Sequence, residues 1–379
     1  MNLRQAARPA LAGSGRFYPV LVAAAVLMAG LSSSCGGGSG SSSSASHNAY
    51  VTLPQRETVL LLHINNSSGV ISPGAETVPR VNTSPTGLAL GSSKKSLYVV
   101  NAAENTVSVF NVSGDGTLTL SGTPIPTGFS PRTATVDPSG KFLLVTNAGA
   151  NGLTGSVSLY SIDSGSGALT EVSGSPFDVG PNPTDLQMTG NFVYVALPNS
   201  GVVTAFLLAN TTLSPIGTFS ARPGVTALAI DPNGHFLYTA NASDNSVSAF
   251  TIAPATGVLS QVIGSPYSIG TATSPHGLGV DSSSKFLYVA NQGTNNILGF
   301  TITSGSGTLA AITTGFPVTT GTAPLFLVLE PTGKFLYTGN QTGTNISGFS
   351  FDPSTGALTA ITNSPFAIAS TPGAMQITH

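Results

Sequence analysis

Six segments of this chain follow one template, and their spacing constrains its fold more than any other feature. They are Leu97-Tyr98-Val99-Val100-Asn101, Phe142–Asn147, Phe192–Leu197, Phe236–Asn241, Phe286–Asn291 and Phe335–Asn340, and a weaker seventh copy is Ala49-Tyr50-Val51-Thr52-Leu53. Their last positions are 53, 101, 147, 197, 241, 291 and 340, so the spacings are 48, 46, 50, 44, 50 and 49. A period of this length built from short strands predicts an all-β seven-bladed β-propeller, one four-stranded antiparallel sheet per repeat. Gly 45, Pro 26 and no tryptophan agree with short strands and tight turns rather than helices.

Each repeat reads alike. Strand a is a short apolar run after a proline, as in Pro85–Leu90. A turn follows, such as Asp137-Pro138-Ser139-Gly140, whose Asp and Gly suit a type I turn. Strand b is the template segment. Strand c alternates, as in Thr106-Val107-Ser108-Val109-Phe110, so it is expected further out. Strand d often holds Gly-Ser-Pro (Gly174, Gly264). The first copy begins on strand b, and the chain ends with a lone strand a from Pro372 to His379. The C-terminal strand should therefore join the first blade and close the ring, leaving no free inner edge.

The first 47 residues carry a different message. Arg4, Arg8 and Arg16 precede the apolar run Pro19–Leu31, the arrangement of a secretory signal and too short to span a bilayer comfortably. Small residues, Ser32-Ser33-Ser34, then precede the single cysteine, Cys35, and Gly36–Ala45 is nearly all Gly and Ser. This pattern resembles a bacterial lipoprotein signal, with Leu31 four rather than three residues before the cysteine. The resemblance implies a signal peptide over 1–34 and a lipid on Cys35 as the membrane partner. A tether over 35–47 and a propeller over 48–379 would follow. The implied location is the bacterial cell envelope, reached by secretion across the inner membrane, on the outer membrane or facing the periplasm. A lone cysteine forms no internal disulfide, so packing alone must hold the fold.

Tyr288-Val289-Ala290-Asn291 and its relatives resemble YVTN-repeat propellers. The whole of 48–379 is similar to the lactonase-type seven-bladed propellers, the family of 6-phosphogluconolactonase and carboxymuconate cyclase. The resemblance implies a lactone-hydrolysing site with a Pro-Arg-His motif. Pro131-Arg132 matches it, but Thr133 stands in the histidine's place. The glutamate expected after the last Asn of strand b is also replaced, by Ala102, Ala148, Ala242 and Gln292.

Only 7% of residues are charged, so each ionisable group stands out. Outside the first 20 residues there are 9 basic and 14 acidic groups, which excludes the clustered basic surface of a nucleic-acid binder. Five scattered histidines and one cysteine offer no metal-ligand spacing, and the Gly-rich stretches sit in hairpins, so no metal or other cofactor is expected. Asp137, Asp231, Asp281 and Glu330 recur in one turn, and Lys95, Lys141, His235, Lys285 and Lys334 follow it. Recurrence assigns them to the scaffold, since one active site needs a residue once. The closing asparagines of strand b are assigned to local backbone bonding.

Residues that break the repeat carry the functional signal. Just after the strand a proline come Thr86, Arg132, Thr184, Val225, His276, Leu325 and Gly373. One position on, Asp185 stands where other copies have Gly87, Thr133, Gly277, Phe326 and Ala374, and Arg222 precedes Pro223. Arg132, Asp185, Arg222 and His276 thus map to one channel mouth, overhung by the longer Asn147–Gly155 loop. They make a candidate site for a small polar or anionic ligand. Two readings follow: a lipid-anchored module binding a ligand or envelope protein without turnover, or a lactone hydrolase using Arg132, His276 and Asp185 as catalytic groups. A purely structural envelope protein is a third.

Overall fold

The computed structural model describes residues 46–77, 84–150 and 154–378. Every regular element among them is a strand. The strands form seven antiparallel sheets, each running a–b–c–d from its inner to its outer edge. The expected signal peptide, Cys35 and the tether up to residue 45 lie outside the described residues. Ser46 and His47, assigned to the tether by sequence, already belong to strand b of blade one (Ser46–Leu53).

Closure follows the sequence expectation. Met375–Ile377 is the inner strand of blade one, pairing Val51 with Met375 and Ala49 with Ile377. Thr52 N–H donates to the Ala374 carbonyl at 3.0 Å and Gly373 N–H to the Thr52 carbonyl at 2.9 Å. Each inner strand lies against that of the next blade, and the last lies against Pro85–Leu90 of blade two. Joining the two ends of the chain in one sheet leaves no inner edge for another chain to pair with.

A second fastening runs around the ring. The tyrosine of strand b donates its hydroxyl to a glycine carbonyl in the c–d turn of the following blade. The pairs are Tyr50–Gly116 at 2.8 Å, Tyr98–Gly167 at 3.0 Å, Tyr194–Gly257 at 2.9 Å, Tyr238–Gly307 at 3.2 Å, Tyr288–Gly356 at 2.7 Å and Tyr337–Gly69 at 2.7 Å. Blade three breaks the series with Leu144. Blade four, correspondingly, joins strands c (Val202–Ala209) and d (Thr212–Ser220) by a tight hairpin without that glycine. A cleft of about 530 Å³, lined by Asp137, Lys141 and Phe142 of blade three and Leu208–Asn210 of blade four, occupies this seam.

Strand b is buried along its length, as expected of a strand sandwiched between blades. Strand c lies outside strands a and b, as expected. Its alternating serines do not face water: Ser108, Ser158 and Ser248 are fully buried. They receive the side-chain amides of the asparagines that end strand b. Asn101 Nδ2 donates to Ser108 Oγ at 2.8 Å, Asn147 to Ser158 at 3.0 Å and Asn241 to Ser248 at 3.0 Å. The asparagines are structural, but through cross-strand side-chain pairs rather than turn backbone. The outer strand d is the more exposed, as in Leu118–Leu120, Leu259–Gln261 and Leu358–Ala360.

The recurrent turn acids behave as scaffold. Asp281 Oδ1 accepts the N–H groups of Lys285 at 2.7 Å and Phe286 at 2.6 Å, and Oδ2 accepts that of Ser283 at 2.9 Å. Asp137 and Asp231 make the same bonds. These carboxylates are buried because backbone donors replace the water they lose.

Candidate functional site

The inner strands are not regular. In blades two, three, five, six and seven the a–b pairing slips by one residue near the proline, so two residues of strand a oppose one of strand b. In blade four Thr184 N–H and the Asp185 carbonyl both bond Ala196, giving the same result. Such a bulge re-aims side chains. Here both residues of the pair turn toward the next blade. Thr184 Oγ1 donates to the Val225 carbonyl at 3.2 Å while the Asp185 carboxylate accepts Leu228 N–H at 2.8 Å. At Gly87 a Cβ would lie 2.6 Å from the Arg132 carbonyl, so that position also looks onto its neighbour and the close approach requires glycine. The following residue turns into the core, as buried Leu88, Leu186, Leu228 and Met375 do.

Where the first residue of the pair is threonine, it fastens blades together. Thr86 Oγ1 donates to the Pro131 carbonyl at 3.3 Å and Thr226 Oγ1 to the Pro275 carbonyl at 2.9 Å. Thr226 holds this slot in blade five, not Val225 as the sequence spacing suggested. Val225 pairs with Asn241 and so takes the proline's place, while Pro223 sits in the loop before the strand. Arg132, His276 and Leu325 depart from the threonine pattern, in blades three, six and seven.

Arg132 is exposed, and its Nη2 donates to Asn182 Oδ1 of the next blade at 3.1 Å. Asn182 in turn donates to Asn199 Oδ1 at 3.5 Å. Asp185, one blade on, holds its carboxylate between two backbone amides, Leu186 N–H and Leu228 N–H, each at 2.8 Å. Burial between the blades pushes this carboxyl up to about 6, the amides only partly offsetting the lost hydration. His276 is half-buried, with Nδ1 3.1 Å from the Ser274 carbonyl. It belongs to blade six, three blades from Arg132 around the ring. Arg222 is exposed and differently employed: its Nε donates to Asp244 Oδ2 at 3.0 Å, an ion pair that neutralises it.

The structure thus assigns Arg132, Asp185 and His276 to inner-strand bulges at one mouth, with Arg222 in the loop leading to strand a of blade five. Of the longer Asn147–Gly155 loop, residues 151–153 lie outside the described residues; Ala148 and Gly149 donate to the Ser130 and Phe129 carbonyls, against the loop that leads to Arg132. Two neighbours escaped the sequence reading. Asn182 was hidden because its partner lies 50 residues away. Phe129 is 60% exposed beside Arg132, where the corresponding positions of blades six and seven are Thr273 and Thr322. The aromatic in a threonine slot was the available signal. Among the described residues no group of three or more His, Cys, Asp and Glu side chains is arranged to hold a metal.

The comparisons agree with this architecture. The family model described as "Lactonase, 7-bladed beta-propeller" matches residues 43–187, 188–322 and 265–374. No curated protein sequence matches the chain. Among solved structures, a candidate 6-phosphogluconolactonase from Bacteroides fragilis superposes with a TM-score of 0.76 at 20% identity, covering 90% of this chain and 100% of that one. A counterpart from Bacteroides uniformis gives 0.75 at 18% identity, covering 88% and 99%. The periplasmic gluconolactonase of Pseudomonas aeruginosa gives 0.73 at 18% identity, also covering 88% and 99%. At these identities the likeness is one of fold. The family match spans nearly all the described residues, and the chain belongs to the lactonase family of seven-bladed β-propellers.

Proposed function

We propose that this chain is a lactone hydrolase working at the channel mouth. One arrangement carries the reading: the exposed guanidinium of Arg132 and the Asp185 carboxylate, held by the Leu186 and Leu228 amides, occupy the inner-strand bulges of adjacent blades, and burial raises the carboxyl toward about 6. A general base works best with a pKa close to the working pH. In the proposed step a water held near Asp185 attacks the lactone carbonyl carbon while the carboxylate takes its proton. Arg132 hydrogen-bonds the carbonyl oxygen as negative charge develops there. The acyl C–O bond then breaks, and the released ring oxygen takes up a proton, from Asp185 or from His276 across the mouth. The product is one hydroxy acid per lactone and water consumed.

The reading is tested with a panel of sugar and alkyl lactones. Turnover that falls at least about 100-fold in Asp185→Asn and in Arg132→Ala supports it. Full activity in both variants, or none in the parent, removes it. A second reading, binding without turnover, is favoured by Thr133 in the place of the family's histidine and by the missing glutamate. Ligand-dependent protection from melting with no hydrolysis of any lactone would establish it.

We further propose that the protein is exported and held at the bacterial cell envelope by a lipid on Cys35. The basic, apolar and small-residue order of residues 4–35 supports this. Incorporation of labelled palmitate that disappears in Cys35→Ser tests it.

A further inference from the structure

The charges of the propeller are sorted between its two faces. All five lysines of the chain, Lys94, Lys95, Lys141, Lys285 and Lys334, are exposed in a–b turns, the face opposite the bulges. The described arginines lie toward the mouth face, and two are already paired: Arg56 Nη2 with Glu76 Oε2 at 3.1 Å, Arg222 with Asp244 at 3.0 Å. Among the described residues Arg132 is the one arginine on that face without a carboxylate partner. Asp185 adds negative charge nearby once ionised. A phosphate dianion held by a single guanidinium, with a carboxylate one blade away, is poorly compensated. Among the described residues one guanidinium stands free of a carboxylate at the mouth, a match for a single negative charge.

The remaining non-polar surface shows what accompanies that charge. Leu325 takes the slot where blades two, four and five have a fastening threonine, and keeps part of its surface exposed. Phe326 follows in the same bulge, where the equivalent residues are otherwise small or Asp185. Its ring packs over Gly339, where a Cβ would lie 2.2 Å from Phe326 Cζ, into the apolar core between blades seven and one, which leaves Leu325 as the side chain of this bulge at the rim. Phe129 offers a 60% exposed ring three residues before Arg132. Side chains of this size at a polar rim mark a surface that desolvates an apolar group.

We infer that the substrate is a lactone carrying an alkyl or aryl substituent and no phosphate. Its ester oxygens face Arg132 and Asp185, and its substituent lies against Leu325 and Phe129. This rests on the lactonase reading for the reaction, but the ligand class can be measured without turnover.

Two series are compared. In the first, calorimetry measures binding of the ring-opened acids 5-hydroxypentanoate, 5-hydroxyoctanoate and 5-hydroxydecanoate, with 6-phosphogluconate alongside. In the second, kcat/KM is measured for δ-valerolactone, δ-octalactone and δ-decalactone, with glucono-δ-lactone alongside. Affinity is expected to rise by about fourfold for each methylene that is covered. The rise should flatten in Leu325→Asn and in Phe129→Ser, two variants at separate sites, each first checked for a parental melting temperature. A steep binding series without turnover keeps the ligand class and removes the lactonase reading. Tighter binding of 6-phosphogluconate than of 5-hydroxydecanoate, or a flat chain-length series in a protein that does hydrolyse lactones, overturns the ligand class and leaves the lactonase reading standing.

Discussion

The Tyr337 hydroxyl donates to the Gly69 carbonyl at 2.7 Å, tying the last blade to the first across 268 residues of chain. It is the same bond that five other blades make to their successors, but here it spans the join between the two ends of the chain. Tyr337→Phe keeps the packing and removes the donor, leaving a buried carbonyl unsatisfied. The expected cost is about 1 to 2 kcal/mol, read as a lower midpoint of urea unfolding. Deleting residues 373–379 removes the inner strand as well and should prevent a stable ring. An unchanged midpoint in both would show that closure contributes nothing to stability.

Asp185 gives a pH signature with a definite sign. Its carboxyl is raised from 3.8 to about 6 by burial, so between those values the folded protein binds a proton that the unfolded chain releases. Stability from this group is therefore greatest below about pH 4 and falls as pH rises through about 6, by up to about 2 to 3 kcal/mol. The difference in unfolding free energy between parent and Asp185→Asn, measured at pH 4.5 and 7.5, should change by that order. Activity runs the other way: the rate should rise with pH through about 6, and Asp185→Asn should erase that limb.

The two arginines near the mouth should separate cleanly. Arg132 spends one hydrogen bond on a neutral amide, whereas Arg222 is held by a carboxylate at 3.0 Å. Arg132→Ala is expected to lower kcat/KM at least about 100-fold, and Arg132→Lys to recover little, because a point charge does not reproduce the planar fork. Arg222→Ala should change kcat/KM less than about threefold, since an exposed pair is worth little. Equal losses in both would place the oxyanion contact elsewhere.

The turn acids make a stability prediction with no effect on chemistry. Asp281→Ala removes the acceptor of three backbone N–H groups and should cost about 3 kcal/mol. A thermal melt reads the loss, and kcat/KM measured well below the melting temperature should be unaltered, because the turn lies on the face opposite the bulges.

The fold was legible because a propeller repeats a local unit. The Tyr-Val-Ala-Asn template, the Asp-Pro turn and the orphan strand a at the end each recur or fail to recur within a 50-residue window. Asp185 was legible for the converse reason, as an acid where other copies are small. What the sequence withheld was contact between units. The buried serines of strand c are partnered by asparagines on the adjacent strand, a pairing that alternation alone does not reveal. Thr226 was displaced by one position because blade five opens its inner strand with Val225, not a proline, opposite Asn241. The carboxylate of Asp185 bonds Leu228, 43 residues away, a pairing fixed by the ring and invisible to spacing.

A final test uses a residue where the repeat disagrees with itself. Thr338 is buried and its Oγ1 has no hydrogen-bond partner among the described residues. The same position is Val51, Val99, Val145, Val195 and Val289 in five other blades, and in blade five Thr239 satisfies its hydroxyl on Asn241 Oδ1 at 2.8 Å. In blade seven Asn340 already spends its amide on Asn345 and Ser347, and its Oδ1 is likewise left without a partner. Thr338→Val replaces an unsatisfied hydroxyl by a methyl of the same shape, a change that relieves the desolvation penalty of a buried polar group. The expected gain is about 1 kcal/mol, read as a higher melting temperature. A loss of stability would instead reveal an ordered water joining Thr338 and Asn340 inside the blade, since removing its anchor would then strand it.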